Sequence, residues 1–104
     1  MGRRRRFSAE PFGAAVSNLM ATSSTTYRDL AARSGLSAGY LNHLVHGNRP
    51  VPANDVLERL AGALGVEPEH FREYRLRVLV DRLATMPEIV DRLYDRLTVA
   101  GAPV

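Results

Sequence analysis

Residues 26–49, TYRDLAARSGLSAGYLNHLVHGNR, constrain this chain more than any other stretch. They contain two short helical segments, each with its own start and stop signal. Thr26 and Asp29, three residues apart, have the spacing of a capping box and open one helix. Gly35 ends it, because the position after a helix commonly takes a left-handed conformation. Ser37 then caps a second helix, since its hydroxyl can accept from a backbone N–H that lacks an intrahelical partner, and Gly47 closes it. Leu30 and Ala31 face inward from the first helix, Leu41 and Leu44 from the second, and Leu36 plugs the turn. Two helices that cross steeply need a small residue where they touch, here Ala31, and a flexible link, here Gly35. The geometry expected is a pair of helices joined by a tight turn, the second free to lie in a DNA major groove.

The flanks read as support for this pair. Before it, Ser8 is a good N-cap, Phe7 and Phe12 have the spacing of a hydrophobic staple, and Pro11 falls in a first turn. Phe12, Val16, Leu19 and Met20 recur on one face of that first helix. After the pair, the spacing predicts a fourth helix over about 53–64, with Val56, Leu57, Leu60, Ala61 and Leu64 inward and Gly65 as its stop. A fifth helix over about 69–84 follows Pro68, whose fixed φ suits a helix start. Thr85, Pro87 and Glu88 mark a break before a sixth helix over about 87–99. No segment alternates as a strand does, no repeat of solenoid length is present, and 104 residues leave room for one domain. The fold class expected is all-α.

Charge narrows the function. All 14 basic residues are arginine, and net charge is +3. Arg3, Arg4, Arg5 and Arg6 alone contribute four positive charges, so the rest of the chain is close to neutral. A run of like charge at a terminus often contacts nucleic acid. The chain lacks cysteine, which excludes disulfides and thiolate metal sites. His43 and His46 lie three apart on one helix, but the next acid is Asp55, so no metal ligand set is complete and no metal or cofactor is expected. No serine or histidine has a triad-like setting and no glycine-rich loop fits a nucleotide, so no enzymatic activity is expected. No apolar run approaches the roughly 20 residues that span a membrane, and MGRRRRFSAE lacks the apolar segment of a signal peptide; a cytoplasmic, nucleoid-associated protein is the expectation.

The order Leu30, Ala31, Gly35, Leu36, Leu41, Leu44, followed by GNRP and a helix ending in ALGV, resembles the lambda-repressor-like, or Xre/Cro, helix-turn-helix family over about residues 10–74. LAARSGLSAGYLNHLVHG and LAGALGV are its most specific parts. The resemblance implies a bundle of about five helices, here with an added C-terminal helix, that binds double-stranded operator DNA, usually as a dimer, with the third helix in the major groove. Carried over by position, base reading falls on Ser37, Ala38 and Gly39 and, one turn later, on His43, with Asn42 beside them. Phosphate contacts fall on Thr26, Tyr27, Tyr40, Asn48 and Arg49. The chain departs from the family in two places. Ala38 and Gly39 stand where long polar residues are common, and cannot form bidentate base contacts. Met20 and Val45 stand where many members carry a buried Arg–Glu pair. Specificity is then expected to lean on Asn42, His43, DNA shape and the arginine arm in the minor groove.

Leu76, Leu83, Val90 and Leu97 recur every seven residues, as do Leu79, Met86, Leu93 and Ala100, offset by three. This is a heptad seam, broken by Pro87 and edged by alternating arginine and acid. The stripes either fold back onto the chain's own bundle or pair with a partner, and a second copy through Leu76, Leu79, Leu83, Met86, Val90, Leu93 and Leu97 is the expected one. The organisation expected is an arm over 1–7, a helix-turn-helix domain over 8–74 and a dimerisation element over 75–104. The expected function is a bacterial or phage-type DNA-binding transcriptional regulator of the repressor kind. The alternatives are an antitoxin-like module that binds a different protein, and a low-specificity architectural DNA binder.

Overall fold

Six α-helices and no strand make up the described residues, 7–99, of a computed structural model of the chain. The helices are α1 (Phe12–Thr22), α2 (Tyr27–Ser34), α3 (Ala38–Val45), α4 (Asn54–Leu64), α5 (Arg72–Leu83) and α6 (Pro87–Tyr94). The first four enclose one core. Phe12, Ala15, Val16 and Met20 enter it from α1, Leu30 from α2, Leu41 and Leu44 from α3, and Leu57, Leu60 and Ala61 from α4. These are the inward positions that helical spacing assigns, except that Ala15 joins them and that Leu19, Ala31, Val56 and Leu64 pack at the margin.

The first helix begins later than expected. Ser8 does not cap it; its hydroxyl accepts from the Glu10 N–H at 3.0 Å instead. Proline disfavours helix in the residue before it, so Pro11 keeps Glu10 out of the helix and itself becomes the N-cap, at φ −57° and ψ 155°. Phe7 and Phe12 then lose their staple spacing. Phe12 turns into the core and meets the Phe71 ring edge-on at 5.0 Å, while Phe7 stays on the surface under the guanidinium of Arg75, 5.2 Å from its ring centre. The Phe12 N–H is capped from far along the chain, by Glu73 Oε2 at 3.1 Å.

The expected fifth helix is also interrupted. Pro68–His70 form a single 3-10 turn, and Phe71 is extended, at φ −86° and ψ 128°, before α5 begins. Phe71 is wholly buried. A continuous helix from residue 69 would carry the chain past the core; the break lets Phe71 close its base. Beyond Tyr94, α6 widens into a π-type turn, Asp95–Val99, rather than running on as regular helix.

Neither α5 nor α6 buries a single residue fully, so the heptad stripes do not fold back onto the bundle. The radius of gyration is 16.5 Å, against about 13 Å for a compact domain of roughly 100 residues.

Candidate nucleic-acid interface

The two-helix unit is built as its caps dictate. Thr26 Oγ1 accepts from the Asp29 N–H, and Asp29 Oδ2 accepts from the Thr26 N–H, both at 3.1 Å. The Thr26 backbone N–H first, then its hydroxyl, hold the Asp29 carboxyl below its ordinary value, and Arg33 and Arg28 assist. Gly35 is left-handed at φ 77° and ends α2. Ser37 Oγ accepts from the Tyr40 N–H at 3.1 Å and starts α3.

One brace of this turn has no signal in the sequence. Arg59, from α4, donates through Nε and Nη2 to the Ser34 carbonyl oxygen, at 3.0 and 2.8 Å. Ser34 is itself buried, and its hydroxyl accepts from the Leu36 N–H at 3.2 Å. The angle between α2 and α3 is therefore held from three sides: by Gly35, by Ser34 and by a side chain 25 residues away. A Cβ on Gly35 would lie 2.8 Å from Arg59 Nη2, the movable end of a side chain, so it is the left-handed backbone that calls for glycine here, and a larger residue would also push on the brace.

With its inner face sealed by Leu41 and Leu44, α3 turns Ala38, Gly39, Asn42 and His43 outward, with Ser37 at its head; all five are exposed or partly so. The side chains of Asn42 and His43 have no intramolecular hydrogen bond among the described residues and are available to a ligand. Gly39 has open space where a Cβ would project, so this edge presents bare backbone. His46 is not part of the face: its Nδ1 lies 2.8 Å from the Asn42 carbonyl oxygen, and no group of three potential metal ligands occurs among the described residues.

The phosphate candidates flank this face. Tyr27 and Tyr40 pack their rings against the core, so any hydroxyl they offer sits on a fixed stem. Thr26, Asn48 and Arg49 are exposed. The Asn48 N–H donates to the His43 carbonyl oxygen at 2.9 Å, and Gly47 is left-handed at φ 75°. The loop is thus folded back on the end of α3 and keeps Arg49 next to it. Arg3, Arg4, Arg5 and Arg6 lie outside the described residues. No helix among the described residues is long and apolar enough to cross a membrane.

The proposed pairing residues form an exposed face on α5 and α6. Leu76, Leu79, Met86, Val90, Leu93 and Leu97 are 37–60% exposed, and Leu83 is half-buried. Val78, Val80, Ile89 and Tyr94 are exposed as well, and a strict heptad reading passes over them.

Comparison with known proteins agrees with this architecture. A family model described as a helix-turn-helix domain matches residues 11–74. A search of curated proteins returns no match. Among solved structures, the chain is similar to the clp gene regulator ClgR from C. glutamicum, at 31% identity and a TM-score of 0.51, covering 71% of this chain and 86% of that one. The matched span runs from the start of α1 into α5 and encloses the whole capped pair and its core, and the chain therefore belongs to the helix-turn-helix domain family.

Proposed function

We propose that this chain is a cytoplasmic DNA-binding transcription regulator that recognises an operator through residues 26–49 as a homodimer. The observation that supports it most directly is the outer face of α3, open from Ser37 to His43 over a sealed inner face. A helix presented in this way fits a major groove about 12 Å wide. Asn42 and His43 read base edges, Ala38 meets a thymine methyl, and Ser37 and Gly39 allow close approach. Thr26, Tyr27, Tyr40, Asn48 and Arg49 hold phosphates on either side, and the arginine arm enters the adjacent minor groove. That a similar chain is a gene regulator by name supports the same class.

The partner on α5 and α6 is a second copy. Around the apolar face lie Arg82, Arg92 and Arg96 together with Asp81, Glu88, Asp91 and Asp95. Among the described residues none of these seven is ion-paired within the chain. A rim with both signs in near balance complements itself across a two-fold axis, where the same patch meets itself. A partner of one dominant charge would meet repulsion from half of it.

Selection of bound sites from random double-stranded DNA, with the mass of the protein measured free and bound, tests this reading. A paired motif bound by two chains is expected. A single unpaired motif bound by one chain removes the homodimer, no sequence preference makes the chain an architectural binder, and co-purification of a different chain on α5 and α6 replaces the second copy by a protein partner.

A further inference from the structure

Beyond Phe71, the buried residue at the N-cap of α5, the pairing helices are joined to the DNA-binding bundle by directed polar bonds rather than by apolar packing. No residue of α5 is fully buried, and Tyr74 is its one residue packed at the margin of the core. Apolar burial is non-directional, and past Phe71 there is little of it. A guanidinium is a planar fork that donates in fixed directions, and α5 uses three of them. Arg75 donates to the carbonyls of Ser8, Glu69 and His70, at 2.8, 2.8 and 3.0 Å. Arg72 reaches the Ala9 carbonyl at 3.2 Å. On another side, Arg77 spans the connector that follows α3. It donates to the Pro52 carbonyl at 2.7 Å, to Asn54 Oδ1 at 2.8 Å and to the Val51 carbonyl at 3.4 Å. That connector leads directly from Asn48 and Arg49, at the end of the DNA-facing helix, into α4.

We propose that Arg77 is a positioning residue that sets the half-site spacing the dimer accepts. It clamps the connector behind α3 to α5, and so fixes the angle between the reading helix and the face where the second copy docks. This rests on the dimeric reading above. One base pair more between two half-sites rotates one of them by about 35° and moves it by about 3.4 Å. That exceeds the tolerance of a hydrogen bond, so a rigid dimer binds one spacing and discriminates against its neighbours. A dimer whose pairing helices swivel on the bundle does not.

The test uses the full chain and the duplex site selected above, together with duplexes in which the spacer is one base pair longer or shorter. The wild type is expected to lose about tenfold or more in affinity for each altered spacer, the scale of a mismatched base pair in one half-site. Arg77→Met keeps the aliphatic stem and removes the donors. It is expected to stay dimeric and to bind all three duplexes within about threefold of one another. Arg77→Lys, which donates without the fork, is expected to fall between. Asn54→Ala, which removes one acceptor and leaves α5 untouched, is expected to weaken the discrimination in part, and it carries the test if Arg77→Met does not fold. A folded, dimeric Arg77→Met or Asn54→Ala with the wild-type spacing preference overturns the inference and leaves the dimeric reading standing. A wild-type chain that binds as a monomer removes both.

Discussion

Gly13 sits where α1 crosses the end of α3, and a Cβ there would lie 2.5 Å from the Val45 carbonyl oxygen and 3.0 Å from that of Leu44. Both obstacles are backbone, so the helices must move apart to admit it. Gly62, near the end of α4, meets nothing within 4 Å. The same substitution therefore has opposite signs at the two sites. Gly13→Ala is expected to destabilise by about 1–3 kcal/mol, as overpacking does. Gly62→Ala is expected to stabilise by about 0.5–1 kcal/mol, the helix-propensity gain alone. Thermal or urea unfolding of the two variants checks the pair; equal shifts would disprove the close approach at Gly13. Asp29 supplies a second single-residue prediction. Its carboxyl is held below the ordinary value, first by the Thr26 N–H and then by the Thr26 hydroxyl. A lowered folded-state value means that the stability it lends is present above the ordinary carboxylate value of about 3.9 and is lost as pH falls through the folded one. Carbon-13 NMR titration should place Asp29 below that value, and Thr26→Ala should raise it only partway, because the backbone donor remains.

At the scale of elements, α1 and α2 start in contrasting ways. The capping box of α2 is local and was legible from Thr26 and Asp29. The cap of α1 comes from Glu73, 61 residues away, and no local pattern reports it. Spacing alone favours Ser8 as the cap, and its chemistry is right, but Pro11 keeps the backbone at Glu10 from turning helical. Glu73→Ala is expected to cost about 1 kcal/mol, the usual scale of removing an N-cap, and Glu73→Gln, which keeps an acceptor, is expected to cost less. Amide hydrogen exchange in the first turn of α1 distinguishes loss of this cap from a general loss of stability, since only the former is localised there. The break at Phe71 has the same character. Glu69 to Leu83 has the composition of one helix, and only the need to bury a phenylalanine beneath Phe12 and α4 interrupts it.

For the whole molecule, affinity and register are expected to come from different parts. Deleting residues 3–6 removes four cations and should weaken binding to every DNA. It should also flatten the salt dependence, by a slope of roughly 0.9 for each phosphate no longer neutralised. Binding measured between low and moderate salt checks this, and an unchanged slope would remove the arm from the interface. Much of this molecule was determined by local sequence. The capped pair of helices, their turn at Gly35 and the core positions of α1 to α4 follow from spacing and caps, because each depends on residues within a few positions of one another. The exposed face of α3 follows as well, since burying Leu41 and Leu44 forces Asn42 and His43 outward. What only the tertiary structure decided lies in contacts between distant segments. These are the Arg59 brace on the turn, the Glu73 cap on α1, the close crossing at Gly13 and the Arg77 clamp on the connector. In each a side chain or a missing one meets a backbone group whose position no periodicity encodes. The heptad seam shows the same division: its apolar spacing was plain in the sequence, but that it stands uncovered depended on where α5 leaves the bundle, at the buried Phe71 and beside the arginine–carbonyl bonds.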